Sequence, residues 1–116
     1  MRHRNKGKIL DRKKAPREAL LRNLATSLVI YEKIKTTKAK AKVLRPIVEK
    51  IVTSGRKNDL ATRRQLIKFL YHKKAVDKVL EVLGPKYKEK KGGYLRLINL
   101  GNRKGDGAEM VQIEFV

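Results

Sequence analysis

The 116-residue chain has no cysteine, which removes a disulfide framework and a thiolate zinc site from consideration and fits a reducing compartment. Long apolar runs are missing too: stretches such as residues 28–31 and 79–83 fall far short of the ~18 residues a membrane span requires. No apolar signal-peptide segment follows the basic first residues, so a soluble, intracellular protein is expected. Histidine is limited to His3 and His72, and neither has an acidic cluster at metal-ligand spacing. Acidic residues are few. Eleven Asp and Glu stand against 31 Lys and Arg, giving a formal net charge of +20 and a pI near 10.5.

So one-signed a chain repels itself unless a polyanion supplies the counter-charge. Nucleic acid is the leading candidate, because each Lys or Arg that neutralises a phosphate releases a condensed counterion. An anionic membrane surface is the rival. It is disfavoured because Glu18, Glu32 and Glu49 interrupt the helical faces, leaving no wide apolar side for lipid. A DNA-compacting protein remains the alternative, although no dimer surface or helix-turn-helix is evident. A nuclease would need clustered metal-binding acids, which the sequence lacks.

Catalytic arrangements do not converge. Ser27 and Ser54 lie in helical patterns and not on a nucleophile elbow, and Asp106 with Glu109 falls in a loop without a partner set. Gly101, Gly105 and Gly107 lie between two strands and lack the Gly-Lys-Ser/Thr of a phosphate-cradling loop. They read as a hairpin connection in which Arg103 and Lys104 can touch phosphate. No enzyme, cofactor, metal site or small-molecule substrate is expected.

Residues 1–14 form a basic arm: Arg2, His3, Arg4, Lys6, Lys8, Arg12, Lys13 and Lys14 face only Asp11. Its low hydrophobicity suits a segment that a polyanionic partner orders by threading it between RNA helices. Residues 15–116 read as a single domain. Pro16 opens a helix over residues 16–30, with Leu20, Leu21, Leu24, Leu28 and Tyr31 at helical spacing. Alternation around Ile34 predicts a short edge strand at 32–36. Thr37 caps a second helix with a stripe of Ala41, Leu44, Val48, Ile51 and Val52, stopped by Gly55. Pro46 inside it predicts a kink, or two helices meeting there.

Asn58 or Asp59 caps a third helix through Leu66, Ile67 and Leu70. Val76, Val79, Leu80 and Leu83 give a fourth, which Gly84 and Pro85 should end. Residues 86–91 form a basic connector. Residues 94–100 and 110–116 read as strands, the second alternating Val111, Ile113 and Phe115 inward with Gln112 and Glu114 outward. The expected fold is α+β, of order α-β-α-α-α-β-β, with helices on one face of a small sheet. Tyr71 and His72 read as helix-end packing residues. Tyr94 either stacks on an unpaired base or anchors its strand in the core. Gly92 and Gly93 serve either as a hinge into that strand or as bare backbone lying against RNA phosphates.

With these residues in view, the whole chain resembles the bacterial large-subunit ribosomal protein family numbered seventeen. The resemblance rests on Met1-Arg2-His3-Arg4, on Arg12, Arg17, Arg22 and Asn23, and on Ile34, Thr36 and Thr37 before Ala41, Lys42, Leu44 and Arg45. It continues through Arg63-Arg64, Gly92-Gly93-Tyr94 with Arg96, Gly101, Arg103, Gly105-Asp106, and the close Met110, Ile113, Glu114. Lys14-Ala15-Pro16 replaces the family's usual serine and histidine cap, Pro46 interrupts the second helix, and Leu95 stands where threonine is common. The resemblance implies a cytoplasmic, ribosome-bound protein that binds large-subunit ribosomal RNA near the nascent-peptide tunnel exit, beside other large-subunit proteins. The charge of the arm makes Lys6 and Lys8 candidate RNA contacts. Carried over by position, the residues the resemblance implies for RNA binding are Arg2, His3, Arg4, Arg12, Arg17, Arg22 and Asn23. Thr36, Thr37, Lys42, Arg45, Gly92, Gly93, Tyr94, Arg96 and Arg103 complete the set.

Overall fold

Pro16 lies in the first turn of helix α1 (Lys14–Tyr31) in the computed structural model, which describes residues 14–116. The expected arm falls almost wholly outside these residues. Leu21, Ala25, Leu28 and Val29 turn one face of α1 into the core. Tyr31, expected on that stripe, is 70% exposed, because it is the last helical residue before the chain turns away. The turn is made at Glu32, which takes a left-handed φ of 65° and donates its N–H to the Leu28 carbonyl at 2.8 Å. Lys78 fastens the same corner by reaching the Ile30 carbonyl at 2.9 Å and the Glu32 carboxylate at 3.2 Å. The strand that follows, β1 (Lys33–Thr37), therefore begins one residue later than the alternation suggested.

Thr37 caps helix α2 (Lys38–Gly55), its Oγ1 accepting the Lys40 N–H at 3.4 Å. Ala41, Leu44, Val48, Ile51 and Val52 are buried, as their spacing predicts. Pro46 does not divide the element: one helix runs through it, with the ring on the exposed side. Asp59, and not Asn58, caps α3 (Leu60–Phe69) by accepting the Thr62 N–H at 2.7 Å. That bond holds the Asp59 carboxyl below its usual pKa. Of the apolar residues that marked this helix, Leu66 and Leu70 are buried and Ile67 is 56% exposed.

The next helix overrides its local stop signal. Helix α4 (Lys73–Lys78) continues through a π-helical turn (Val79–Leu83) into α5 (Gly84–Lys86), so Gly84 and Pro85 do not end it. The cause is a close crossing with the end of α2. A Cβ on Gly84 would lie 2.5 Å from the Gly55 carbonyl oxygen, and one on Gly55 would collide with a Val79 methyl. Both glycines are buried there, and the Gly84 N–H bonds back to the Val79 carbonyl across the widened turn.

Strands β2 (Leu95–Asn102) and β3 (Glu109–Phe115) complete an antiparallel sheet in the order β1-β3-β2. Val111, Ile113 and Phe115 are buried inward while Gln112 and Glu114 look outward, as expected. The inner face joins the helices in one cluster that includes Leu28, Leu44, Val48, Val79, Leu83 and Ile113. Full burial of each such side chain contributes roughly 1.5–3 kcal/mol against the chain entropy lost on folding. The fold is thus α+β. No helix among the described residues is long and apolar enough to cross a membrane.

Candidate nucleic-acid interface

The outer face of the sheet carries charge because the strand register stacks it there. Lys33, Glu114 and Arg96 fall in one row across the three strands, and Lys35, Gln112 and Ile98 in the next. The single carboxylate of the row is shared. Gln112 Nε2 donates to Glu114 at 2.8 Å and Arg96 Nη2 at 3.0 Å, and these bonds, with Lys33 nearby, hold the carboxyl below its usual pKa. One acid thus answers two cations in its row, and exposed Lys35 adds a third positive charge beside it.

Where β1 hands over to α2, Thr37, Lys38, Ala39 and Lys42 form a shallow depression with Ala108 and Glu109 from the hairpin. Lys38 pairs with Glu109 at 3.4 Å, whereas Lys42 has no ion-pair partner among the described residues. A second depression brings Glu49, Lys50, Thr53 and Ser54 of α2 against Lys91, Gly92 and Tyr94. A third is lined by Thr53, Arg56, Lys57 and Lys88 alone. Phosphate oxygens, were they to enter, would relieve the mutual repulsion among these cations.

The expected contact residues fare differently. Arg2, His3, Arg4, Lys6, Lys8 and Arg12 lie outside the described residues. Arg17 is partly buried on α1 and Asn23 is exposed there. Arg22 is engaged within the protein: its guanidinium lies over the rings of Phe69 at 5.5 Å and Tyr71 at 5.9 Å. Thr36 is buried in β1 and Thr37 is occupied as a cap, while Lys42 points outward. Arg45 pairs with Glu49 at 3.2 Å and reaches the Leu95 carbonyl at 3.4 Å. Arg103 is held by Asp106 at the hairpin tip, and that pairing lowers the Asp106 pKa to about 2.

Tyr94 takes the second of the two roles open to it, that of a core anchor. It is fully buried, its ring 5.0 Å from that of Tyr87. Its hydroxyl meets Thr53 Oγ1 at 3.1 Å, Arg56 Nη1 at 2.9 Å and the Lys90 carbonyl at 3.0 Å. Base stacking is closed to it in this conformation. Gly93 has a φ of 66° and gives its N–H to Glu49 Oε2 at 3.1 Å, so its backbone donor already has a protein partner. Gly93→Ala would therefore strain the backbone whatever the RNA does.

Residues outside the expected set also belong to the basic surface. Arg56, Lys57 and Lys88 are brought together by the fold, the last from a run read only as a connector. Tyr71 and His72, read as packing residues, are both exposed, Tyr71 at 53%. Their signal was present in the sequence only as an aromatic and a histidine between two helical patterns.

Comparison with known proteins covers nearly the whole chain. A family model described as ribosomal protein L17 matches residues 20–116. The large ribosomal subunit protein bL17 of Gemmatimonas aurantiaca is 49% identical over 116 residues, covering all of this chain and 98% of that protein. The protein of the same name from Syntrophotalea carbinolica is 47% identical over 116 residues, all of this chain and 75% of the relative. That from Exiguobacterium sp. is 49% identical over 112 residues, 92% of this chain and 96% of the relative.

Proposed function

Because the chain belongs to the ribosomal protein L17 family, we propose that it is a structural constituent of the large ribosomal subunit, bound to ribosomal RNA. The observation that carries this reading is the uncompensated charge. Six ion pairs occupy most of the described carboxylates, yet Lys33, Lys35, Lys42, Lys57, Lys86, Lys88, Lys90 and Lys91 have no carboxylate within pairing distance among the described residues. They sit on the outer sheet face, at the start of α2, just past its end and along the connector, where phosphates can reach them. The proposed role is positional and not enzymatic, in the cytoplasm and on the ribosome. Neighbouring large-subunit proteins and a site near the nascent-peptide tunnel exit are expected from the family resemblance alone.

The test is binding of the full chain to a large-subunit RNA fragment across a salt series, together with sedimentation of native particles. Affinity should fall steeply as salt rises, with a log–log slope of roughly −0.7 to −0.9 per phosphate neutralised. The protein should travel with large subunits in low salt and leave them in high salt. A flat salt plot would overturn the reading, and equal affinity for duplex DNA of any sequence would favour a DNA-compacting role.

A further inference from the structure

Between α3 and α4 the surface folds into a depression of about 430 Å³, more enclosed than those beside α2. Its walls are apolar: Ile67, Leu70, Tyr71 and Val76. Two of these, Ile67 and Tyr71, are more than half exposed and adjoin one another in a single depression. The rim is cationic. Arg63 and Lys73 border the depression beside the exposed imidazole of His72, and Lys74 is exposed one residue further on. Asp77, the acid packed against this rim, is tied to Arg63 at 3.2 Å. From outside the depression the Arg22 guanidinium lies 5.9 Å from the Tyr71 ring centroid and buttresses it.

An aromatic wall, aliphatic neighbours and a positive rim describe what one unstacked nucleotide requires. The base is offered a flat π surface and an apolar floor, while its flanking phosphates meet cations. An apolar protein side chain would use the floor and leave Lys73 without a counter-charge. We propose that this depression receives a single splayed nucleobase of the RNA, stacked on Tyr71, with an adjacent phosphate held by Lys73, which has no ion-pair partner among the described residues. This rests on the RNA-binding reading above.

The experiment measures binding of full-length variants to deproteinised large-subunit ribosomal RNA over a salt series, after the parent's own binding has been established. Tyr71→Ala should weaken binding roughly ten- to a hundredfold while leaving the salt slope unchanged, since a stack and not a phosphate contact is lost. Tyr71→Phe should bind like the parent. Lys73→Gln should weaken binding and make the slope shallower by about one. Ile67→Gln, in the same lining and at an exposed position, should also weaken binding and decides the matter if Tyr71→Ala loses its fold. Tyr71→Ala within twofold of the parent, with fold retained, would overturn the proposal. So would normal RNA affinity combined with poor uptake into particles, which would identify a protein as the occupant. If the parent itself shows no saturable, salt-sensitive binding, the RNA reading fails first and takes this one with it.

Discussion

At Gly84 the absence of a side chain decides whether α2 and the π-turn can meet. A methyl placed there would meet first the Gly55 carbonyl oxygen at 2.5 Å and then the Gly55 carbonyl carbon at 2.9 Å. Both are backbone atoms, and neither can swing aside as a side-chain tip would. Gly84→Ala gains helix propensity of about 1 kcal/mol. Overpacking costs typically 1–3 kcal/mol and falls here on two buried backbones, so the variant should be less stable, which urea denaturation will show. A Gly84→Ala variant as stable as the parent would mean that the crossing is looser than these distances imply. The arginines teach a related lesson about the candidate site. Arg22, Arg45, Arg96 and Arg103 were legible in the sequence as phosphate ligands because guanidinium suits phosphate. Each already has a protein partner. Two are local, Glu49 four residues after Arg45 and Asp106 three after Arg103, but the aromatic pair on Arg22 and Glu114 on Arg96 lie far away in sequence. Those distant partners are brought near by the fold, so residue type alone marks where cations lie but not which are free.

Elements were legible where the signal is local. The stripe of α2 and the alternation of β3 are each written within one segment, and the structure keeps both. The π-turn and the continuation through Pro85 were not, because they follow from the meeting of Gly55 with Gly84, 29 positions apart in a chain whose local stop signal points the other way. Pro46 gives the opposite case: a correct local signal that the rest of the helix outweighs. Its ring has no N–H to offer the Lys42 carbonyl, yet α2 persists because its other face is buried. Pro46→Ala should restore that hydrogen bond without disturbing any buried residue, and stability should rise, by no more than about 3 kcal/mol, in a denaturant titration. A loss would show that proline is needed for the shape of α2. At the start of α3, Asp59 gives a pH-dependent cap. Its folded pKa is lowered, chiefly by the Thr62 N–H, so its contribution is fully present above the unfolded carboxylate value and is lost as pH falls through the folded one. The difference in melting temperature between the parent and Asp59→Ala should therefore be largest near neutral pH and narrow in acid. A difference that stays constant down to about pH 2, below the ordinary carboxylate range, would contradict the cap's charge dependence.

For the whole molecule the decisive quantity is charge, and it was legible before any fold was known: +20 on 116 residues. The sheet order β1-β3-β2 was not, because pairing depends on which strands meet and each strand alone is silent about that. Once the order is known, the outer face follows, with Lys33 and Arg96 flanking the one carboxylate of their row. The fold is thus a scaffold whose buried cluster, among the described residues, runs from Ala25 to Phe115. The first 13 residues carry Arg2, Arg4, Lys6, Lys8, Arg12 and Lys13 against Asp11, a dense block of charge with almost nothing apolar. If they act as an RNA-threading arm, removing residues 1–13 should leave circular dichroism and melting nearly unchanged, because Ile9 and Leu10 are the only apolar pair the segment offers to a core. RNA affinity should fall sharply, and the log–log salt slope should become shallower by up to roughly four to five if all six cations neutralise phosphates. The two measurements separate the possibilities on one truncated protein. A marked fall in melting temperature with affinity retained would make the segment a structural brace. Unchanged melting with an unchanged slope would leave the phosphate contacts to the folded surface, to Lys33, Lys35, Lys42 and the lysines of the connector.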